Sequence, residues 1–580
     1  MASTDPRPTG GVGFLNRLNA RIATRARSRT SFRYYPEPRG FGQMEAGKRL
    51  LSGDFLFAGS EVSAPGKTPW QIEIPDAGFS AELQSFAWLE ALAALGDKHA
   101  RAAAQEWTLA WIARFGRGGG PGWTPRIAGL RVLRLCNHAE FVMRDLEAGD
   151  ARKITQSLGR HVIFLSRRWQ GAPGGLPRLQ ALAGLIAGAS ALRDMARFSS
   201  PAQEALQGEI AATLQEDGAI ASRNPEELLE VSTLLTWSAM ALEEAGGEVP
   251  AAHVAAIRRI APVLRTLRHA DGTLARFQGG GRGPEGRLDR MLAASGVTTA
   301  SPQGRAMGYA RLSAGRTSVI LDASPPQKGR DSHGAHASTL AFELTSGRRP
   351  VVVSCGSGHG KGSEWRRAGR STPSHSVLVV GGTPSSAFAG KGDTLVRVPE
   401  QVPVEMEFTP DGSRFQGGHD GYVKEFGLTH ARMLDLTFDG RAMAGEDMLL
   451  AVEDKARRRF DRALEKRGSL GIPYKIRFHL HPDVEVAQDV ADGAIRIALP
   501  NGEAWHFRFD GQVSPEVEAS VYLEKDRIRP RSTKQLVLSG RAMGYATRIR
   551  WSFAKTRETP VAIRDLAGIE EEDPLMSDMT

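Results

Sequence analysis

The sequence predicts an α+β protein of several domains, in which an N-terminal helical domain precedes a C-terminal antiparallel β-sandwich. The chain has 580 residues, more than a single hydrophobic core usually organises. Apolar residues recur at helical spacing up to about residue 295, and beyond about residue 300 they alternate in short runs. Short connections between successive helical stretches favour a bundle or a toroid for the first half.

Residues 1–75 are rich in proline, glycine and arginine and show little periodicity, which predicts an extended basic arm that wraps the body. The arm carries apolar residues at near-helical spacing among five arginines: Leu15, Leu18 and Ile22 beside Arg17, Arg21, Arg25, Arg27 and Arg29. We favour a solvated arm here, with a helix lying on a membrane surface as the alternative.

Residues 76–298 are predicted to form the helical domain. Its first part, "FAWLEALAALGDKHARAAAQEWTLAWIARFG", reads as two amphipathic helices interrupted at Gly96-Asp97. Further on, Asn224 is a good N-cap ahead of Pro225, which suits the first helical position. Arg223, just before that cap, is then available to face an anionic ligand. A similar turn at 268–280 presents His269.

Residues 299–558 are predicted to form the β-sandwich. Runs such as "RTSVILDA", "RPVVVSCG" and "AWHFRFDG" alternate between apolar and polar residues and are separated by glycine, proline and aspartate. Many short strands at regular spacing are typical of an antiparallel sandwich. Residues 559–580 form an acidic tail that we expect to be disordered.

Composition excludes several classes of protein. The formal charge of +10 favours an anionic partner at long range, but the chain has no zinc finger or RNA-binding signature, so nucleic acid is not predicted. Cys136 and Cys355, the two cysteines, lie far apart in apolar surroundings, which excludes a disulfide scaffold. We find no apolar run of transmembrane length and no secretory signal peptide.

Histidines mark the segments most able to carry chemistry. His336 and His375 each precede a predicted strand and lie an even number of positions from its apolar residues. Because such residues share one face of a strand, both histidines are predicted to lie at the start of a strand and to point to its core side. Arg370 lies near His375, and a "GGHDGY" cluster holds His419 and Tyr422. Taken one at a time, each of these histidines is explained by a structural role in the core. Two together could also act as base and carboxylate neutraliser, or ligate a metal.

Six segments, taken in chain order, resemble the heparinase II/III-like family: "DGAIASRNPEELLEV", "AHASTLAFEL", "VVVSCGS", "RSTPSHSVLVV", "GGHDGY" and "RFHLHPDV". The resemblance spans roughly residues 35 to 555. It implies an α/α-toroid followed by a β-sandwich, with an active cleft between the two. Characterised relatives are polysaccharide lyases that act on uronic-acid glycans, so the resemblance implies an acidic polysaccharide as the partner.

The resemblance also implies roles for residues of this chain. In β-elimination one group neutralises the uronate carboxylate, one removes the C5 proton and one protonates the leaving oxygen. We assign His336 as the base and Tyr422, or else Tyr309, as the acid, with His375 beside them. The predicted substrate-binding residues are Arg223, Asn224, Arg370, His419 and His269. Arginine suits such a cleft because its fork binds a carboxylate through two hydrogen bonds.

The chain departs from the family pattern at three positions. Gly334 replaces the first histidine of the strand-leading motif, Glu227 lies near the position of the family's tyrosine, and Ser354 and Cys355 replace a zinc-binding aspartate. Three functions stay open: a lyase with a rearranged set of catalytic residues, a non-catalytic protein that binds a glycan or a cell-envelope component, and another enzyme that reuses the cleft.

The metal and the location follow the same resemblance. Some relatives hold zinc in the sandwich, and His336 and His375 are two possible ligands here. Because the third ligand is missing, we expect no cofactor. The family suggests the bacterial cell envelope or periplasm, whereas the absence of a visible signal peptide makes the cytoplasm the alternative. The sequence does not predict the oligomeric state.

Overall fold

The structure is a computed structural model. It describes residues 10–26, 30–298, 304–390, 392–488, 493–510, 513–525, 527–557 and 559. The predicted acidic tail lies outside these residues, apart from Thr559.

Helices dominate the described residues before position 299. They are α1 (Gly10–Arg25), α2 (Met44–Ser52), α3 (Ala77–Gln84), α4 (Ala87–Leu95), α5 (Lys98–Phe115), α6 (Pro125–Asn137), α7 (Ala139–Met143), α8 (Ala148–Arg168), α9 (Leu176–Ala191), α10 (Ser199–Thr213), α11 (Pro225–Glu244), α12 (Ala251–Thr266) and α13 (Arg287–Ala294). One short hairpin interrupts them, formed by β1 (Asp54–Phe57) and β2 (Ser60–Ser63).

Strands dominate the described residues after position 303. They are β3 (Gly304–Ala306), β4 (Tyr309–Ala314), β5 (Thr317–Asp322), β6 (Phe342–Ser346), β7 (Arg349–Val353), β8 (Leu378–Val380), β9 (Ala387–Phe388), β10 (Leu395–Arg397), β11 (Val404–Thr409), β12 (Gly412–Tyr422), β13 (Leu428–Thr437), β14 (Ala442–Leu450), β15 (Ile472–Leu480), β16 (Glu485–Gln488), β17 (Ile495–Ala498), β18 (Ala504–Asp510), β19 (Ser514–Tyr522), β20 (Arg531–Ala542) and β21 (Ala546–Lys555). Three helices lie among them: α14 (Ser363–Gly369), α15 (Val423–Phe426) and α16 (Asp454–Glu465).

Two large antiparallel sheets pack face to face in the C-terminal half. One follows the order β19-β20-β15-β7-β6-β5-β4-β3, with β8 also paired to β15, and the other follows β11-β12-β13-β14-β21-β18-β17-β16. Aromatic side chains fill the space between them. Phe342 of the first sheet stacks on Trp551 of the second with ring centroids 5.6 Å apart, and Phe478 lies 4.7 Å from the same indole. The predicted fold class is confirmed.

Local sequence signals explain where the helices begin and end. Asp97 and Thr124 accept the first free N–H groups of α5 and α6, and Gly96 ends α4 with a positive φ of 69°. Among the described residues, no helix has the length and apolar character needed to cross a membrane.

The N-terminal segment differs from the extended arm that we predicted. It contains α1, α2 and the β1–β2 hairpin. Small residues seat α1 on α8: Asn16, Ala20 and Ala23 are buried, and Asn16 accepts a hydrogen bond from Arg168 at 2.9 Å. The prediction of an extended arm was wrong for α1, because the near-helical spacing of Leu15, Leu18 and Ile22 does mark a helix, although the buried side of that helix consists of small residues.

The connection between α12 and α13 joins the two halves. Arg276 donates through its backbone to Glu343 of β6 at 3.0 Å and through its guanidinium to the carbonyl of Leu523 at 2.5 Å. From the sandwich, Arg311 donates to the carbonyl of Thr266 at 3.1 Å. These buried contacts fix the position of the sandwich against the toroid, and the predicted site lies at this junction.

Candidate functional site

His336 and His375 meet at the junction, with ring centroids 5.0 Å apart. They do not start strands as predicted. His336 lies in an irregular segment in which Leu340 has a φ of +65°, and β6 begins only at Phe342. His375 follows a short 3-10 turn, and β8 begins at Leu378. The two rings are close together, but the prediction that each lies on the core face of a strand was wrong.

A loop of the toroid covers His336, which is 0% exposed. The side-chain carbonyl of Gln278 accepts from the backbone N–H of His336 at 2.9 Å, and the N–H of Gly279 donates to Nε2 of the ring at 2.9 Å. Two residues on, the N–H of Gly281 donates to Glu226 at 2.8 Å. Residues 278–281 thus form a layer of backbone between His336 and the side chain of Glu226.

Burial keeps both imidazoles neutral. Burial, and then the proximity of His375 and Arg370, which opposes a positive charge on the ring, place the pKa of His336 well below its usual value. Burial lowers the pKa of His375 to about 3. Nδ1 of His336 and Nε2 of His375 are buried without a hydrogen-bond partner among the described residues. A neutral imidazole can accept a proton, but neither His336 nor His375 has an exposed surface through which a glycan could reach it.

Both predicted carboxylate-binding arginines are engaged by the protein itself. Arg223 forms an ion pair with the buried carboxylate of Asp322 and donates to the carbonyl of Gly308 at 2.9 Å. Arg370 donates to the carbonyls of Ala335 at 2.8 Å and Ser332 at 2.6 Å. The assignment of these side chains to substrate carboxylates is corrected accordingly, because Arg223 is bound to the start and the end of the β4–β5 hairpin and Arg370 holds the segment just before His336.

Neither predicted acid is placed to protonate a glycan. The hydroxyl of Tyr309 donates to the carbonyl of Arg223 at 2.6 Å, and the hydroxyl of Tyr422 donates to the carbonyl of Leu378 at 3.0 Å. Both side chains are 0% exposed. Burial raises the pKa of each phenol, well above its usual value for Tyr309. These geometries correct the role proposed for both tyrosines, since each has a structural hydrogen bond and no open side.

His419 belongs to a separate network inside the sandwich. Its Nε2 lies 3.1 Å from Nδ1 of His430, whose other nitrogen lies 2.7 Å from Asp447. Arg432 closes the network with bonds of 2.9 and 3.0 Å to the two oxygens of Asp447. His419 is 1% exposed, so the structure places it in the core and not on a binding surface.

The last two predicted binding residues are also structural. His269 is 3% exposed and lies 3.3 Å from both Glu343 and the hydroxyl of Ser318. Asn224 caps α11, as the sequence indicated, by accepting from the N–H groups of Glu226 at 3.0 Å and Glu227 at 3.2 Å.

The side chains near His336 and His375 do not suit zinc. Nδ1 of His375 is already in hydrogen-bond contact with the hydroxyl of Ser354 at 3.1 Å. The thiol of Cys355 contacts His479 at 3.4 Å and not His336 or His375. The described residues contain no group of three or more histidine, cysteine, aspartate or glutamate side chains that could hold a metal ion. Two imidazole nitrogens alone fall short of the three or four protein ligands of a zinc site.

An open cleft lies next to the covered histidines. One cavity of about 440 Å³ lies between α2, the β1–β2 hairpin and α4, and is closed on the sandwich side by His359 and Lys525. A second cavity of about 270 Å³ continues into the toroid, and the two share Glu82 and Glu226. Lys525 forms an ion pair with Glu226 across the junction. Burial raises the pKa of Glu226, but Lys525 outweighs it, and the pKa falls to about 2.

The resemblance implied a cleft between the toroid and the sandwich, but sequence reasoning missed the residues that line it. Glu226 follows the cap of α11, where an acid is expected for structural reasons alone. Lys525 lies 299 positions away along the chain, in a segment without a motif. Trp88 and Glu82 read as ordinary parts of amphipathic helices, so no sequence signal separates them from core residues.

Comparisons with known proteins agree with this architecture. Residues 296–552 match the family described as "Heparinase II/III-like, C-terminal". A curated protein from Caulobacter vibrioides, FtsZ-localized protein C, is 29% identical over 525 residues, which is 88% of each chain.

Among solved structures, heparinase III superposes with a TM-score of 0.65 at 13% identity, over 92% of this chain and 88% of that chain. A mutant of the heparan sulfate lyase HepC from Pedobacter heparinus gives 0.57 at 14% identity, over 95% and 89%. At such identities the likeness shows the fold alone.

The fold and the cleft define the class of proteins in which a helical toroid meets an antiparallel sandwich. Within that class, this chain is similar to the heparinase II/III-like family, whose C-terminal domain residues 296–552 match.

Proposed function

We propose that this protein binds a glycan in the toroid–sandwich cleft and does not cleave it by the β-elimination route of its lyase relatives. The observation that carries the proposal is the position of His336. Its ring lies beneath residues 278–281, while an open cavity lies on the side of Glu226 and Lys525. An open cavity therefore lies where the predicted base has no access.

The dimensions and chemistry of the cleft support a saccharide. Its larger cavity, about 440 Å³, is within the usual range for small-molecule sites of roughly 300 to 1,000 Å³. Trp88, Leu56 and Phe57 supply apolar surface, and Glu82 and Lys525 supply polar groups. Sugars present both apolar ring faces and hydroxyl groups, and a cleft of this composition matches both.

The test measures binding and cleavage in the same samples. Purified protein is incubated with uronate, neutral and amino-sugar oligosaccharides while calorimetry records binding and ultraviolet absorbance records unsaturated uronate. We expect binding of at least one glycan without any rise in absorbance. Unsaturated product that disappears in a His336→Ala variant would overturn the proposal and restore the lyase hypothesis.

A second function, attachment to an anionic membrane surface, is favoured by α1. Its protein-facing side consists of small or polar residues, and its apolar side chains point away from the body. Exposed fractions are 59% for Phe14, 42% for Leu15 and Leu18, and 40% for Ile22. Arg17, Arg21 and Arg25 are exposed along the same helix, which has no acidic residue in its first turn. Apolar residues flanked by arginines are typical of helices that lie in the lipid headgroup region.

Vesicle sedimentation tests this second function. We expect binding to vesicles that contain phosphatidylglycerol, weaker binding to neutral phosphatidylcholine, and loss of binding in the double variant Phe14→Ser/Leu18→Ser. The matched control is Met44→Ser/Leu51→Ser on α2, whose side chains are 59% and 40% exposed. Equal sedimentation of the α1 variant and the wild type would exclude α1 as the attachment surface.

A further inference from the structure

Cys355 and His479 form a buried pair that the proposed function does not use. Sγ of Cys355 lies 3.4 Å from Nδ1 of His479. The thiol follows the end of β7, the imidazole lies in β15, and the two strands pair directly, with Val353 opposite His479. The backbone of Cys355 is held on both sides, because its N–H donates to the carbonyl of Ser374 at 2.9 Å and its carbonyl accepts from Leu523 at 2.7 Å. The sheet therefore fixes the thiol and the imidazole relative to each other.

Hydrogen bonds define which nitrogen of His479 carries the proton. Nε2 lies 2.8 Å from the backbone carbonyl of Pro373. A carbonyl only accepts, so Nε2 carries the hydrogen, and in the neutral ring Nδ1 is the acceptor. Nδ1 faces the sulfur of Cys355 and, at 2.8 Å, the hydroxyl of Ser520. A thiol beside a base whose other nitrogen is oriented by a third group is the arrangement that activates a nucleophile.

The surroundings of the sulfur favour its thiolate form. Burial by itself raises the pKa of the Cys355 thiol, but the charge and hydrogen bond of His479 and the hydrogen bond of Ser520 outweigh burial, and the pKa lies below its usual value. The hydroxyl of Ser520 lies 3.8 Å from Sγ and can donate to it. Arg276 adds positive charge nearby and donates to the carbonyl of Leu523 at 2.5 Å. The thiolate, and not the thiol, is the reactive form of cysteine.

Cys136, the other cysteine of the chain, has the opposite environment. It lies in α6 and is 1% exposed. Burial raises the pKa of its thiol to about 12, so the thiol stays protonated near neutral pH. The two cysteines therefore allow a comparison within one molecule, since both are buried and the thiolate is favoured at only one of them.

We propose that Cys355 is a site of oxidation by hydrogen peroxide, which converts its side chain to a sulfenic acid. Cys355 and His479 are each 3% exposed and Ser520 is half-buried, so the sulfur suits a small oxidant and not a macromolecular substrate. The thiolate sulfur attacks one oxygen of the peroxide, the S–O bond forms and the O–O bond breaks. Sulfur loses two electrons, and protonated His479 gives its Nδ1 proton to the departing hydroxide, which leaves as water.

Trapping of the sulfenic acid within one chain tests the proposal. Folded protein, freed of other thiols, is treated with hydrogen peroxide in the presence of dimedone, and the peptides that contain Cys355 and Cys136 are quantified by mass spectrometry. We expect Cys355 to acquire the dimedone label at least about tenfold faster than Cys136. Circular dichroism confirms that the protein stays folded during the treatment. Equal labelling of the two cysteines, or labelling of Cys355 only after unfolding, would overturn the proposal.

A pair of variants tests the role of the imidazole. His479→Gln removes the base and should slow the labelling of Cys355 at neutral pH by about tenfold or more, because the thiolate loses its partner and the hydroxide loses its proton donor. His506→Gln changes a half-buried histidine of β18 and is the matched control, which should be labelled as the wild type is. Equal rates in folded His479→Gln and in the wild type would rule out activation by His479.

A pH series on the wild type keeps the test independent of how well a variant folds. Below its pKa a thiol gains thiolate by about tenfold with each pH unit, and an unperturbed cysteine has a pKa of about 8.5. Because the pair favours the thiolate, the labelling rate of Cys355 should rise by clearly less than about tenfold per unit between about pH 6 and pH 8. A full tenfold rise with each unit would identify Cys355 as an ordinary thiol, and the proposal would fail.

Discussion

At the scale of single residues, the structure assigns the predicted catalytic side chains to packing. We expect His336→Ala to lower the free energy of unfolding, because the partly buried N–H of Gly279 loses its acceptor. An unsatisfied buried donor costs about 1 to 3 kcal/mol, and the cavity left by the ring adds to it. Chemical denaturation measures the loss. His333→Ala, an exposed position three residues earlier, is the control and should be neutral. A His336→Ala variant as stable as the wild type would contradict this role.

Buried histidines also predict how stability depends on pH. His375 has a folded-state pKa of about 3, whereas an unfolded chain gives histidine a pKa of about 6.5. Between these values the unfolded state binds more protons, so stability is fully present above about pH 6.5 and is lost as the pH falls toward 3. Removing this one group should reduce the slope of stability against pH by up to about 1.4 kcal/mol per pH unit in that window.

Thermal unfolding of His375→Gln between pH 7 and pH 4 checks this expectation. His99→Gln on α5 removes an exposed histidine and should leave the slope unchanged. Parallel curves for His375→Gln and the wild type would show that His375 does not contribute to the acid sensitivity.

At the scale of elements, the cap of α11 is the best-defined local prediction. Asn224 accepts from two N–H groups at the start of a largely buried helix. Asn224→Ala should therefore cost about 1 kcal/mol, and Asn224→Asp should retain most of it because aspartate is an equally good cap. The midpoint of urea unfolding measures both. Equal losses for alanine and aspartate would indicate that the side chain acts through something other than capping.

Sequence periodicity predicted the elements well where one face of an element is buried. The change from helices to strands near residue 300 follows directly from the two periods. Sequence periodicity failed where the buried residues are not the large apolar ones, or where the segment is neither helix nor strand. α1 turns small residues inward and large apolar ones outward, and the segment around His336 is an irregular loop whose alternation imitates a strand. Alternation between apolar and polar residues indicates which face is buried only where the segment is in fact a strand.

At the scale of the whole molecule, the sequence predicted which segments come together at the junction of toroid and sandwich. It did not predict which of their side chains are accessible from the cleft. The proximity of His336 and His375 and the cap at Asn224 were within reach of the sequence and of the family resemblance. The covering of His336 by the backbone of loop 278–281, by contrast, was not predicted from the sequence. The cleft depends on Lys525 meeting Glu226 from the far end of the chain, and such pairing is a property of the assembled fold.

The central claim is that His336 is covered by the protein beside an open cleft, and histidine modification tests directly whether His336 is covered. Native protein is treated briefly with diethyl pyrocarbonate, and each histidine peptide is quantified by mass spectrometry. His333 is exposed and His336 is 0% exposed, so the two form a matched pair in one stretch of chain. We predict rapid modification of His333 and none of His336 until the protein unfolds. Modification of His336 at a rate close to that of His333 would contradict the account.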